Sequence, residues 1–152
     1  SASPPASTSA STGGLSAAAK HLLAWALGVM RSEVWSVRKA AVQLVGALCT
    51  ASTAAATHDD EPTTTLSLLL TPAQLEQALG VLGAGMQEQK FTKVRVEALR
   101  SLQLLLSGAN REALDLNESL KQMVRELIRT ASADSHPNIL EAVVKVQNAW
   151  LR

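Results

Sequence analysis

One short apolar pattern recurs three times in this chain of 152 residues, and it constrains the fold more than any other feature. Two copies share the sequence V-R-x-x-A, followed by apolar residues eight and eleven positions after the valine. These copies are Val37, Arg38 and Ala41, and then Val94, Arg95 and Ala98. A third copy has Ile139 at the valine position, Val143 at the alanine position and Trp150 eleven positions after Ile139, but has Leu140 where the arginine stood. Internal repeats of this size are typical of stacked supersecondary units.

The copies are separated by about 57 and about 45 residues, and the second step is within the ~40–47 residues of HEAT-type helical repeats. The first step is longer by about the length of a loop at 50–65. Apolar residues recur at helical spacing elsewhere too, without useful period-2 alternation. The sequence therefore predicts an all-α fold, an α-solenoid of about three HEAT-like hairpins over 15–152. The hairpins are expected at about 15–49, 71–107 and 115–152.

Helix starts are marked in two of these hairpins. Thr71, Pro72 and Gln74 form an N-cap, an N1 proline and a capping-box partner. Pro137 is similarly placed to begin the last helix.

Two segments lack apolar periodicity. Residues 1–14 contain only Ser, Ala, Thr, Pro and Gly, and we interpret them as a disordered linker. A transit peptide is the competing interpretation, although the stretch has no arginine. Residues 50–65 are rich in Ala and Thr and contain the acidic run 58–62, which predicts an exposed, flexible loop.

The charge balance narrows the class of partner. With 14 basic and 13 acidic residues the formal net charge is +1, whereas nucleic-acid-binding domains usually carry a strong basic excess. The longest apolar stretch, 22–30, is far shorter than the ~20 residues that span a bilayer. We therefore expect a protein without membrane insertion, for which nucleic acid is an improbable ligand.

No catalytic, cofactor-binding or metal-binding constellation is recognisable. Cys49 is the single cysteine, and no nucleophile motif accompanies it. The run from His58 to Glu61 is read as a surface loop, with weak divalent-cation binding as the alternative. Gly80, Gly83 and Gly85 do not have phosphate-loop spacing, so we expect them to loosen a helix end or to permit close packing. The sequence thus predicts a protein that is not an enzyme and needs no cofactor.

Charged and aromatic residues supply the candidate interface, which we assign to Trp35, Lys90, Lys93 and Arg100. A solvated helix face is the simplest interpretation of the basic cluster; an acidic protein partner is the next, and nucleic acid the third. Of the tryptophans, Trp25 and Trp150 are expected in the core or between repeats, and Trp35 is expected to be partly exposed. Arg38 and Arg95 are expected to pair with an acid or a carbonyl of the adjacent repeat.

Several segments together resemble a known family. The sequence from Lys90 to Leu99, closing with three leucines at 104–106, is similar to the C-terminal region of the large HEAT-repeat proteasome adapter and scaffold proteins. Trp35 with Val37, the TPAQLE start at Thr71 and the DSHP sequence at 134–137 are also similar to that region. The resemblance covers roughly residues 30–152 and is absent from 1–14 and 50–65.

This resemblance implies a non-enzymatic scaffold that tethers the proteasome core particle to its regulatory particle and links proteasomes to partners. The expected partners are proteasome subunits, and the expected location is the cytoplasm, with the nucleus as a second compartment. The alternative is a HEAT-type module that binds nucleic acid, or a transport or assembly complex, through a basic helix face. The first hairpin is expected to stack on further N-terminal repeats of a longer chain.

The C-terminal hairpin is expected to act as a cap, with the last helix supplying its polar face. Terminal repeats of solenoids normally present a polar outer face. We assign that face to Glu141, Lys145, Gln147, Asn148 and Arg152.

Overall fold

A computed structural model describes residues 6–55 and 64–152, with side-chain environments for 16–51 and 67–152. The described residues are almost entirely helical. The helices are α1 (Ala6–Val29), α2 (Trp35–Thr50), α3 (Pro72–Met86), α4 (Thr92–Ser107), the short α5 (Arg111–Asp115), α6 (Glu118–Ser132) and α7 (Pro137–Leu151).

The six long helices pack as two adjacent rows. In one row α3 contacts both α1 and α6, and in the other α4 contacts both α2 and α7. Each helix of the first row also contacts its partner in the second: α1 with α2, α3 with α4, and α6 with α7. Buried aliphatic residues of both rows, such as Leu79, Leu82 and Leu102, belong to one hydrophobic core. Two helix faces that cannot be covered within one hairpin are covered by the next hairpin.

The helix-start signals that the sequence shows at Thr71 and Pro137 are confirmed. The Thr71 hydroxyl accepts from the Gln74 backbone N–H at 3.2 Å, and the Gln74 side chain accepts from the Thr71 N–H at 3.0 Å. This capping box satisfies two backbone donors that an α-helix leaves free. Pro137 lies in the first turn of α7, preceded by His136, whose Nδ1 accepts from the Asn138 N–H.

Close packing accounts for two of the three glycines in α3. A Cβ at Gly85 would lie 2.9 Å from Val42 Cγ2, and a Cβ at Gly83 would lie 3.0 Å from Leu127 Cδ2. Gly85 therefore lets α3 approach the second row of helices, and Gly83 lets it approach α6. At Gly80 the nearest neighbour, Leu27 Cδ2, lies at an ordinary contact distance of 3.7 Å.

Part of the predicted 50–65 loop is ordered as strands, so an all-α description is incomplete. Strands β1 (Ser52–Ala55) and β2 (Thr64–Ser67) pair antiparallel with Ser52 opposite Ser67. Residues 56–63, which include the acidic run, lie outside the described residues. Threonine-rich segments favour extended backbone, but a two-stranded hairpin alone is marginal in water.

A buried asparagine anchors the segment that follows the hairpin. Asn110 is fully buried; its Oδ1 accepts from the Leu70 N–H at 2.7 Å and its Nδ2 donates to the Leu68 carbonyl at 3.1 Å. Leu68 and Leu70 are buried in the core. Nothing in the local sequence around 50–65 signals this long-range partner, which explains why periodicity alone predicted a free loop.

The first helix begins earlier than the sequence indicated. Backbone residues 6–14 of the predicted linker form its first turns, whereas residues 1–5 lie outside the described residues. Once a helix is nucleated, each added residue gains one hydrogen bond at little further cost, so Ala-rich and Ser-rich sequence can extend it.

Candidate protein-interaction face

The repeat motif places its small and apolar residues in the core. Ala41, Val94, Ala98, Ile139 and Val143 are all buried. Val37, at the equivalent position in α2, is only half-buried. No described element covers that side of α2. The first copy of the motif therefore has the same residue types as the second, but its valine is not buried.

The two motif arginines join consecutive hairpins. Arg38 Nη2 lies 2.7 Å from Glu88 Oε2, and Arg38 Nη1 donates to the Ser32 carbonyl at 2.6 Å. Arg38 therefore binds the turn of its own hairpin and the turn of the next one. This is the pairing expected from the sequence.

Arg95 repeats the arrangement one hairpin later. Its Nη1 donates to the Glu88 carbonyl at 2.7 Å, and its Nε lies 2.9 Å from Asp134 Oδ2. The Nε–H is not aligned with that carboxylate, so the second contact is an ion pair rather than a directed hydrogen bond. Both pairs are mostly shielded from solvent, which reduces screening of their attraction.

The pairs Arg38–Glu88 and Arg95–Asp134 form a ladder along the hairpins. Each acid of this ladder also accepts hydrogen bonds from backbone N–H groups of its own turn. Glu88 Oε1 accepts from the backbone N–H groups of Lys90 and Phe91, both at 3.3 Å, and Asp134 Oδ1 accepts from the His136 N–H at 2.8 Å. In the turn between α1 and α2 the Ser32 hydroxyl takes the place of the carboxylate and accepts from the Val34 N–H. The ladder thus has a polar neutral residue at its start.

Three of the four candidate interface residues lie together. Trp35, Lys90 and Lys93 line one pocket of about 330 Å³ with Phe91. The Trp35 and Phe91 rings stack with centroids 5.2 Å apart, and Lys90 Nζ lies 5.5 Å from the Phe91 ring centre. Trp35 is half-buried, so this pair bridges the starts of α2 and α4 and remains accessible at its edge.

A larger groove of about 620 Å³ lies between the starts of α2, α4 and α7. Its charged lining comprises Lys39, Lys93, Lys145, Glu97 and Glu141, with His136 at one side. Glu141 and Lys145 are 3.9 Å apart in an exposed, loose ion pair. The groove therefore has a small excess of positive charge that suits carboxylates or phosphates.

Arg100, the fourth candidate, does not line either cavity. It is exposed on α4, two turns beyond Lys93 on the same side of the helix. Sequence reasoning missed Lys39 and Lys145 as members of this face. The repeat register contains a signal for Lys145, because it stands at the position of Arg100 in the third copy. We name the basic residues Lys39, Lys93, Arg100 and Lys145 the basic face; Lys39 is half-buried and the other three are exposed.

A second groove, of about 790 Å³, lies between α3 and α6. Its floor includes Gly80, Ala84 and Met123, and its rim includes Glu118 and Glu126. These acids are paired within α6. Hydrogen bonds from Lys121 and Arg125 lower the pKa of the exposed Glu118 carboxyl, and Glu126 pairs with Arg129 at 2.6 Å. The rim therefore offers little free charge.

Trp25 and Trp150 lie in different environments. Trp25, which was expected in the core or between repeats, is 47% exposed on α1, and no described helix packs on its side. Trp150 is half-buried beneath the Arg111 guanidinium, which lies 4.8 Å from the ring centre. Arg111 also donates to the carbonyls of Ala149 and Trp150, and so caps the last turn of α7.

Within the described residues, no three His, Cys, Asp or Glu side chains are grouped so that they could hold a metal ion. His58 and its acidic neighbours lie outside that part of the chain. Cys49 is buried, and burial raises the pKa of its thiol to about 12, far above the range of a reactive thiolate. None of the described helices is long and apolar enough to cross a membrane.

Comparisons with models of protein families, with curated proteins and with solved structures found no match for this chain.

Proposed function

We propose that this chain is a non-enzymatic protein-interaction module built as a HEAT-like α-solenoid. The observation that carries the proposal is the ladder in which Arg38 reaches Glu88 and Arg95 reaches Asp134. The same residue of consecutive repeats makes the same contact to the next hairpin. Such one-dimensional stacking leaves extended surfaces that proteins use for binding.

The basic face is the surface we assign to a partner. Lys39, Lys93 and Lys145 surround one groove, and Trp35 with Phe91 supplies an aromatic edge beside it. A charged groove next to a partly exposed aromatic pair suits an acidic polypeptide segment. Aromatic residues commonly anchor interfaces, while surrounding charges steer association.

The resemblance to proteasome adapter proteins suggests the identity of that partner. Under this proposal the module contributes to a scaffold that tethers proteasome core and regulatory particles and links proteasomes to other proteins. It acts in the cytoplasm and also in the nucleus. Its first hairpin stacks on further N-terminal repeats. The half-exposed Trp25 and half-buried Val37 and Leu44 would provide the apolar contact.

The alternative function is nucleic-acid binding or participation in a transport or assembly complex through the same face. Lys93 and Arg100 favour it because they are exposed cations on one helix side. Glu97 and Glu141 disfavour it, because they reduce the positive charge of the groove, and binding to a nucleic-acid backbone depends on several cations that neutralise phosphates.

The test is capture of purified intact 26S proteasomes by the immobilised full-length protein under conditions that preserve the holoenzyme. We expect the double variant Lys93→Glu, Arg100→Glu to capture at least about tenfold less, because charge reversal at a complementary interface is costly. The matched control reverses Arg125 and Arg129, two exposed arginines of α6. Absence of capture by the unchanged protein contradicts the adapter function, and salt-sensitive binding of oligonucleotides supports the alternative.

A further inference from the structure

Two cavities of the candidate interface share a wall at the start of α4. We call the pocket of about 330 Å³ beside Trp35 and Phe91 the aromatic cavity, and the groove of about 620 Å³ between the starts of α2, α4 and α7 the basic groove. Thr92 and Lys93 line both of them. A short ligand segment that passes over these two residues therefore reaches both cavities at once.

The aromatic cavity has an apolar surface with cations beside it. The Trp35 and Phe91 rings are nearly parallel, 20° apart, and their centroids are separated by 5.2 Å. Lys90 Nζ lies 5.5 Å from the Phe91 ring centre, within the range of a cation–π contact. Trp35 is only half-buried, so part of its ring lines the cavity. An aliphatic or aromatic side chain suits this environment, because its contact with the rings removes apolar surface from water on both sides.

The basic groove has two cations without a nearby acid. No described carboxylate lies within 4 Å of the Lys39 or Lys93 ammonium group. Lys145 differs, since its Nζ lies 3.9 Å from Glu141 Oε1. Carboxylates of a ligand therefore gain most at Lys39 and Lys93.

The acids of the groove limit how much negative charge a ligand can bring. Glu97 and Glu141 line the same groove as the lysines. Like charges placed together across an interface are costly, so a continuous run of acids or phosphates meets repulsion between the cations. Exposed ion pairs also contribute little by themselves, because water and salt screen them. A ligand that binds tightly at this place therefore needs an uncharged contact as well.

We infer, on the basis of the function proposed above, that the partner segment joins one large apolar side chain to a pair of acidic residues. The apolar side chain occupies the aromatic cavity, and the two carboxylates lie against Lys93 and Lys39. The wall that Thr92 and Lys93 form between the cavities carries the inference, because it sets the apolar contact directly beside the charged one. Apolar burial supplies the affinity, and the charges steer and orient the segment. The acidic partner is thus narrowed to a protein with a short hydrophobic and acidic motif.

The probes are three rhodamine-labelled peptides with blocked ends. The first has the sequence Gly-Ser-Glu-Glu-Ser-Leu-Ser-Glu-Glu-Ser-Gly, with acids on both sides of the leucine, so that either chain direction brings a pair to the basic groove. The second has alanine in place of leucine, and the third has glutamine in place of each glutamate. Fluorescence anisotropy against the full chain should show that the first peptide binds about tenfold more tightly than each of the others.

Trp35→Ala tests the aromatic cavity. This variant should bind the leucine peptide about tenfold more weakly and leave the affinity for the alanine peptide unchanged, because only the leucine uses the cavity. The matched control is Trp25→Ala, which removes a 47% exposed tryptophan of α1 and should leave both affinities unchanged. Trp35→Phe keeps an aromatic ring and should keep the preference for leucine. Circular dichroism and melting temperature check that these variants remain folded.

Lys93→Gln tests the basic groove. It should weaken binding of both glutamate peptides by the same factor, about threefold, and leave the affinity for the glutamine peptide unchanged. The matched control is Lys20→Gln, at an exposed lysine of α1, which should leave all three affinities unchanged.

Equal affinities of the unchanged protein for the leucine and alanine peptides overturn the inference and leave an acidic partner in place. Equal weakening by Trp25→Ala and Trp35→Ala, or equal affinities for the leucine and glutamine peptides, overturn it too. Tighter binding of an oligonucleotide than of the leucine peptide assigns the groove to nucleic acid instead. Failure of the function proposed above is a separate result, in which the unchanged protein captures no 26S proteasomes. Capture that Lys93→Glu, Arg100→Glu weakens, together with no peptide binding, overturns only the motif.

Discussion

Arg38 and Glu88 join the first hairpin to the second through an ion pair whose Nη2 and Oε2 atoms lie 2.7 Å apart. The side chains are only 13% and 12% exposed, and Arg38 Nε makes a further 2.9 Å hydrogen bond to the same oxygen. Two guanidinium nitrogens of Arg38 bind the Glu88 carboxylate, and both side chains are shielded from water. Each side chain also binds backbone groups of a turn. It therefore fixes the relative position of two hairpins.

Arg38→Ala is predicted to lower the free energy of unfolding by about 1–3 kcal/mol, because it removes the Arg38 donors from Glu88 Oε2 and from the Ser32 carbonyl. The measurement is urea unfolding of Arg38→Ala, Glu88→Ala and the double variant. We expect a coupling energy of about 0.5–3 kcal/mol. Arg129→Ala, which removes an exposed pair in α6, is the control and should change stability by less than about 1 kcal/mol. Additive effects of the two substitutions would show that the pair does not couple the hairpins.

Gly46→Ala is predicted to destabilise the fold by about 1–3 kcal/mol through overpacking. A Cβ at this position would lie 2.6 Å from the Ser101 hydroxyl oxygen and 3.3 Å from the Ser101 Cα, so the clash includes backbone. Gly28→Ala is the matched control, because a Cβ there meets nothing within 4 Å. Differential scanning calorimetry should show a lower melting temperature for Gly46→Ala alone. Equal melting temperatures for the two variants would contradict close packing of α2 on α4.

Asn110→Ala is predicted to cost about 2–4 kcal/mol, since it leaves the buried Leu70 N–H and Leu68 carbonyl unsatisfied. Hydrogen exchange should show faster exchange of the Leu70 amide. Asn117→Ala serves as a comparison, because it removes one side-chain hydrogen bond, to the Leu120 N–H at the start of α6. A smaller loss of stability for Asn110→Ala than for Asn117→Ala would mean that the Asn110 side chain does not anchor the segment from Leu68 to Leu70.

Cys49 is predicted to make the stability fall at alkaline pH. Its pKa is about 12 in the folded state, against an ordinary value of 9.0. Below pH 9 the thiol is protonated in both states and contributes no pH dependence. Between pH 9 and about 12 the unfolded thiol ionises while the folded thiol keeps its proton. The free energy of unfolding therefore falls, by up to about 1.4 kcal/mol per pH unit.

Urea unfolding of the unchanged protein and of Cys49→Ala from pH 8 to 11 measures this effect. The variant should show the shallower alkaline decline, since lysine titration is common to both proteins and the chain has no tyrosine. Parallel pH curves would contradict burial of the thiol. A thiol reagent should also label native Cys49 only as fast as the protein opens.

The sequence by itself determined the local features of this protein. Helical periodicity, the capping box at Thr71 and the proline at the start of α7 depend on neighbours within a few residues, and each was found where the pattern indicated. The positions of Arg38 and Arg95 were also readable, because an identical motif in two copies implies an identical environment. The order of the hairpins followed from these elements.

Only the tertiary structure decided which faces are covered. Trp25 and Val144 have helical spacing like that of core residues, yet both are exposed because no described helix packs beside them. Asn110 is remote in sequence from Leu68 and Leu70, and no local signal indicated that it would bind them. Amphipathic spacing depends on the backbone of a single helix, whereas burial depends on a second element that arrives from elsewhere in the chain. The apolar residues Leu140, Val144 and Leu151 of α7 are visible in the sequence, but their exposure follows only from the packing of the other helices.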